Sequence, residues 1–293
     1  MRITSQTIYD TLMAGIRNQM QTQREGTEQI SSGRRFSRPS QDGVAYKTSL
    51  DIRHVQSGID SSLSAIGVAK LRLGVSENAL AQFTPIMQRA QVLAVQQANS
   101  GLTASERQTA AVEVAALENQ LISLANTAFE GKALFAGTAT DVQPIQIDGL
   151  GNAVYQGNTQ DRSVAITPSE SIVSNVRADH TAFTQVFSSI KALKDALTGN
   201  NVPGIQASID LLSSATAAMV GLNAEVGGKL NSINLREETL LSMKTQMQIK
   251  LNQHESVDIA EVATNLKQSE VSLQAAYAEV SNFNKLSLVN FLR

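Results

Sequence analysis

Apolar residues recur at every seventh position along two long stretches of this chain. The first runs Ile52, Ile59, Ile66, Leu73, Leu80, Met87 and Ala94. The second runs Ile205, Leu212, Met219, Val226, Ile233, Leu240 and Met247. Two turns of helix at roughly 3.6 residues per turn nearly close on seven, so each set forms a stripe along one helix face. A stripe of that length cannot face water and must lie against other helices. The spacing therefore predicts two long helical halves that pack side by side.

The flanking patterns are weaker. A helix is expected over 5–32, apolar at Ile8, Leu12, Met13, Ile16, Met20 and Ile30, with Gln19, Gln23 and Gly26 interrupting the stripe. So thin a stripe predicts poor stability for the helix alone. Gly33 is its expected stop. The Gly, Pro, Ser and Asp content of 33–43 predicts a loop, with Asp42 capping the next helix. That helix should run to Asn99, about 80 Å at roughly 1.5 Å per residue. Pro85 lies inside it and should kink it or remove one hydrogen bond.

Thr103-Ala-Ser-Glu106 is a capping-box pattern. The helix it opens carries Val114, Leu117, Leu121, Leu124 and Ala128 and is expected to end at Gly131. Pro144, Pro168 and several glycines then change the texture. Ile145 and Ile147, and Val164 and Ile166, alternate with polar residues around Asp148-Gly149 and Gly151-Asn152 turn signals, which predicts a few hairpins. Helix resumes with Phe183, Val186, Phe187, Ile190, Leu193 and Leu197, turns over 199–204, and continues as the second heptad helix. Gly227-Gly228 would let a neighbouring helix approach closely. After a break at 254–257, Ile259, Leu266, Leu273 and Val280 stand seven apart, joined by Val262, Ala276 and Phe283. This stripe continues to the last residues, where termini ordinarily fray, and predicts a cover from outside the monomer.

The expected fold is mainly α: long heptad helices forming a rod-like bundle with paired N- and C-terminal helices, plus a small β insert domain in the middle. Three parts are expected. Residues 1–43 and 255–293 form a terminal coiled-coil assembly domain, 44–135 and 183–254 a long-helix bundle, and 136–182 a β-rich insert.

Composition supports an assembling surface over a reactive site. Net charge is −2, and charged residues are 17% of the 293, below the roughly 25% of ordinary domains. The long outgoing helix fills its outer positions with Ser, Gln, Asn and Ala, which give up little hydration when covered. The near-neutral balance supplies no field for nucleic acid or an anionic membrane, and neither is expected as a partner. No run approaches the ~18 apolar residues of a membrane span. The start, Met1-Arg-Ile-Thr-Ser5, has no apolar h-region, so a cleaved secretory signal is not expected. With no Cys there is no disulfide or thiolate chemistry.

The search for catalysis finds little. His54, His180 and His254 have no metal-ligand spacing and read as surface residues. No nucleophile elbow, Walker loop or His-Glu-x-x-His is present. Glu237 and Glu238 are adjacent on a helix and point to different faces. Arg34, Arg35 and Arg38 make a small basic loop, without an aromatic platform, that reads as solvated or as a protein contact. No enzyme activity, metal or cofactor is expected.

Several motifs carry a resemblance. They are the Met1-Arg-Ile-Thr-Ser5 start, Glu28-Gln-Ile-Ser-Ser-Gly-Arg-Arg35 with Arg38-Pro-Ser-Gln-Asp42, and Gln88-Arg-Ala-Gln-Val-Leu-Ala-Val-Gln-Gln-Ala-Asn-Ser100. Further pieces are Leu124-Ala-Asn126 with Gly131-Lys-Ala-Leu-Phe-Ala-Gly-Thr138, Tyr155-Gln-Gly157 and the end Leu286-Ser-Leu-Val-Asn-Phe-Leu292. Together they resemble the bacterial flagellin family, and within it the hook–filament junction branch.

The resemblance implies a structural adaptor joining the hook-associated proteins at the hook end to the filament. The first hook-associated protein and flagellin would be its partners. It also implies self-association in a ring or tube, an export chaperone on the C-terminal helix, and type III export to an extracellular site without a cleaved signal. Ile8, Leu12, Ile16, Leu266, Leu273, Val280, Phe283, Leu288 and Phe291 would be the assembly face. Two other readings stay open: a minor flagellin that builds the filament itself, and a secreted helical binding or adhesin module.

Overall fold

The computed structural model describes residues 5–167 and 170–291; the side chains of residues 5, 6, 167, 170 and 283–291 lie outside that description. Seven helices and six short strands follow one another among the described residues: α1 (Ser5–Ser32), α2 (Gly43–Ala81), α3 (Phe83–Gln97), α4 (Ala104–Ala125), β1 (Ala128–Phe129), β2 (Lys132–Ala133), β3 (Ile145–Ile147), β4 (Ala153–Tyr155), β5 (Ser163–Thr167), β6 (Glu170–Val173), α5 (Thr181–Thr198), α6 (Val202–Glu255) and α7 (Ile259–Phe291). The mainly helical architecture, the paired terminal helices and the mid-chain hairpins follow the sequence pattern. The chain divides into two compact units: 1–58 with 243–293, and 59–242.

In the 59–242 unit the heptad residues are the core. Ile59, Ile66, Leu73, Leu80, Met87 and Ala94 of α2 and α3 are buried, as are Ile205, Leu212, Met219, Val226, Ile233 and Leu240 of α6. Burying each such side chain stabilises the fold by roughly 1.5–3 kcal/mol relative to exposure. An ion pair from Lys70 of α2 to Glu237 of α6, at 2.5 Å, links the two helices on the rim of this stripe. Phe183 of α5 sits at the centre, with Phe83 edge-on at 5.5 Å and Phe135 tilted at 5.4 Å. The buried Glu118 of α4 pairs with Lys194 of α5.

The expected single helix to Asn99 is two helices. Pro85 falls at the third position of α3, where its missing N–H lies among those that a helix start leaves unpaired. Ahead of it the chain tightens, with the Gln82 N–H bonding the Ala79 carbonyl at 3.2 Å, three residues back. The capping box at Thr103 and Glu106 forms as expected, opening α4.

Helix α4 stops at Ala125, short of the expected Gly131. Glu130 (φ 52°) and Gly131 (φ 74°) instead form the turn of the β1–β2 hairpin, and both carry the positive φ that two-residue hairpin turns require. Just past the helix end, the Asn126 amide receives the Ile145 N–H at 2.8 Å and donates to the Ile145 carbonyl at 2.9 Å. That two-way bond docks β3 beside α4.

The expected strands at Ile145–Ile147 and Val164–Ile166 form antiparallel hairpins with β4 and β6. The Asp148 carboxylate closes the β3–β4 turn by accepting N–H bonds from Leu150 and Asn152. The Gly227-Gly228 pair does not bring a helix close: a Cβ at Gly227 would meet only the Glu77 carboxylate at 3.6 Å, and one at Gly228 would meet nothing within 4 Å.

One described helix, α6, is long and apolar enough by length and composition to cross a membrane, with an 18-residue window of mean hydropathy 1.3. This corrects the expectation that no segment reaches such apolarity. A third of that window is buried within the fold, and the heptad residues of α6 from Ile205 to Leu240 are packed against protein.

Candidate assembly surface

In the 1–58/243–293 unit, α1 packs along α7. The residues of α1 that are buried or half-buried along this seam are Tyr9, Leu12, Ile16, Gln19, Gln23, Gly26 and Ile30. They alternate by three and four, an unbroken heptad series. Across from them, Val262, Leu266, Ser269, Leu273, Ala276 and Val280 of α7 step in the same way. Gln19, Gln23 and Gly26 therefore belong to the stripe that they were expected to interrupt. A Cβ at Gly26 would stand 3.1 Å from Leu266 and 3.5 Å from Val262, so glycine allows the two helices to approach there. The Ser269 hydroxyl reaches the Gln19 carbonyl at 3.5 Å. Polar and small residues at a and d positions specify register at a cost in stability.

The residues expected to form the assembly face divide. Ile16 and Leu273 are buried in the seam, with 4% and 6% exposure. Leu12, Leu266 and Val280 are half-buried in it. Ile8 is 40% exposed. The side chains of Phe283, Leu288 and Phe291 lie outside the described residues. Met20 on α1 and Ile259 on α7, expected within the apolar stripes, instead face outward on the flanks of the pair, as do Val271 and Tyr277 of α7, which sequence reasoning passed over. Met20 and Tyr277 touch across the pair, with the Tyr277 hydroxyl 3.7 Å from Sδ. Large apolar residues just off the seam, at Val271 and Tyr277, were the available signal.

At the inner end of the pair, the 33–42 loop is pinned to the α6–α7 turn. Gly33 ends α1 with φ 67°. The Arg35 N–H bonds the Glu255 carbonyl at 2.7 Å, and the Val257 N–H bonds the Gly33 carbonyl at 3.3 Å. The buried Glu255 carboxylate accepts from Arg53 at 2.7 Å and faces Arg34 at 3.5 Å. Arg38 pairs with Glu28 at 2.5 Å, and the Arg35 guanidinium lies 5.6 Å from the Phe36 ring centre and 3.8 Å from Asp42. The basic loop is thus neutralised within its own unit. Hydrogen bonds from Ser37 and then Arg38 hold the Glu28 carboxyl below the usual carboxylate range.

Two of the three histidines are put to structural use, while His54 is exposed as expected. His254 meets Phe36 edge-on at 6.3 Å. His180, expected as a plain surface residue, caps α5 by accepting the Ala182 N–H on Nδ1. Asp42 caps α2 by accepting from Ala45 at 2.9 Å.

Residues 3–140 match the bacterial flagellin N-terminal helical region. The chain is 26% identical to flagellar hook-associated protein 3 of Salmonella typhimurium, over all of both chains. It is 27% identical to the protein of that name from Escherichia coli K12, over 88% of this chain and 82% of that one. A solved flagellar hook-associated protein from Vibrio parahaemolyticus has the same fold, with a TM-score of 0.65 at 23% identity over 74% of this chain and 100% of that one. Along its length the chain is thus similar to the bacterial flagellin family, and in particular to its hook-associated proteins.

Proposed function

We propose that this protein is a structural adaptor of the bacterial flagellum, joining the hook-associated proteins at the hook end to the flagellin filament. The observation that carries this reading is the likeness to hook-associated protein 3 over the full length of both chains. Residues 1–43 and 255–293 act as the assembly part, the long helices as its support and 136–182 as an outward insert. The terminal pair closes against further copies in a ring or tube, between the first hook-associated protein and flagellin. Before assembly an export chaperone covers the C-terminal helix, and the finished protein works outside the cell at the junction. What supports these finer points is the exposed apolar flank of Ile8, Met20, Ile259, Val271 and Tyr277 on a helix pair whose own seam is partly polar. The role is mechanical and needs no catalytic group.

Removing the gene should leave completed hooks that shed free flagellin into the medium. Restoring a chain that lacks residues 255–293 should not rescue attachment. Filaments that attach with the truncated chain would overturn the assignment. Long filaments grown from the purified protein alone would favour the minor-flagellin reading.

A further inference from the structure

One cluster in the 59–242 unit is rich in hydrogen-bond donors and short of acceptors. Arg72 of α2 is 4% exposed, and its guanidinium donates to the Ala133 carbonyl at 2.6 Å. Its buried Nε–H has no acceptor, and among the described residues no carboxylate pairs with it. Burial, then the positive charge of Arg162, pushes its pKa below the ordinary arginine value.

Arg162 stands just before β5, half-buried, and its side chain has no partner among the described residues. The geometry puts it level with Arg72. The Ser62 hydroxyl of α2 bonds the Ile166 carbonyl of β5 at 3.0 Å. From Ser62 to Arg72 is about 15 Å of helix at roughly 1.5 Å per residue. From Ile166 back to Arg162 is about 13 Å of strand at roughly 3.3 Å per residue.

Asn175 completes the set. It is 2% exposed, its Oδ1 receives the Arg162 N–H at 2.9 Å, and its buried Nδ2 has no acceptor. The nearby carboxylates Asp161 and Asp179 are engaged by Arg177 instead.

A buried cation without a counter-charge is among the costlier arrangements in a folded protein. One such cation, with the half-buried Arg162 close enough to repel it and an idle amide donor beside Arg162, makes a site that lacks its negative partner. Guanidinium groups present planar forks suited to oxyanions. We propose that Arg72, Arg162 and Asn175 together hold a small oxyanion of the phosphate or sulfate type, which fastens the base of the β5–β6 hairpin to α2.

The test uses the full chain and inorganic phosphate, with sodium chloride at equal ionic strength as reference. The calorimetric midpoint of the 59–242 unit should rise by about 3–8 °C at saturating phosphate, since an ion that binds only the native state stabilises it by mass action. Amide exchange over 162–175 should slow in step. Phosphate also stabilises proteins generally by exclusion, so the decisive quantity is the difference between the native chain and Arg162→Gln. The variant removes a side chain without a partner, so it should fold normally and keep only the general increment. Arg72→Met should likewise keep only the general increment and be no less stable in chloride. Equal phosphate gains in the native chain and Arg162→Gln, or unchanged exchange over 162–175, would mean that water alone serves these donors and would overturn the site.

Discussion

The two units are both built on heptads, and they use them differently. In the 59–242 unit the repeating positions are Ile, Leu, Met, Val and Ala, all buried. Along the terminal pair the repeat includes Gln19, Gln23, Gly26, Ser269 and Ala276, and much of it is only half-buried. The first pattern makes a self-sufficient core. The second fixes how two helices register without tying them tightly, and it leaves apolar flanks facing out. A polar seam with greasy flanks suits a helix pair whose stability comes from neighbours, whereas a greasy seam suits one that stands alone.

The comparison can be broken most forcefully from the core side. Leu212→Ala, at a fully buried position, should cost about 2–5 kcal/mol in denaturant unfolding of the 59–242 unit. Leu273→Ala in the terminal seam should cost less than half of that in the monomer. Equal losses at the two sites would end the distinction.

Next in size is the pin between loop and turn. Glu255→Gln should loosen Arg34 and Arg53 and cost about 1–3 kcal/mol, less than a fully buried pair because both arginines are partly exposed. Faster amide exchange at Arg35 and Val257 would register it.

The comparison sharpens if the seam is made greasy. Gln23→Leu should stabilise the isolated terminal pair by about 1 kcal/mol, half-burial discounting the usual gain, with slower exchange at Leu266 and Leu273. A destabilised pair would show that Gln23 makes bonds worth more than its polarity costs.

The smallest effect concerns acid. The Glu28 pKa is lowered in the fold, so its contribution is fully present above the unfolded carboxylate value of about 4.3 and is lost as pH falls through the lower folded value. Because Glu28 lies near the surface, exchange in the 33–42 loop should quicken only slightly below about pH 4, and Glu28→Gln should remove that step.

How much the sequence disclosed follows the same divide. The stripes of α2, α3 and α6 were legible because every seventh residue was apolar and the burial is complete. The α1 seam was hidden because two glutamines and a glycine occupy heptad positions, and hydrophobic periodicity is blind to them. The end of α4 was misplaced because Gly131 resembles a helix stop, and only the neighbouring Glu130 at positive φ reveals a hairpin. At the assembly surface the choice of helices was legible. Which side chains turn outward was not, since that depends on the seam's rotation. The Arg72, Arg162 and Asn175 cluster could not be read at all, because its members come together only when β5 lies along α2.

The partners α1 and α7 occupy opposite ends of the chain, and nearly everything else is strung between them. Bringing such distant segments together carries a large loop-closure penalty unless intervening structure has already drawn them near. The 59–242 unit supplies that structure, because its antiparallel helices return the chain toward its starting point. The terminal pair is therefore expected to zip last on the folding pathway and to open first, and a chain emerging from a narrow conduit would present its adhesive ends only after its middle has condensed.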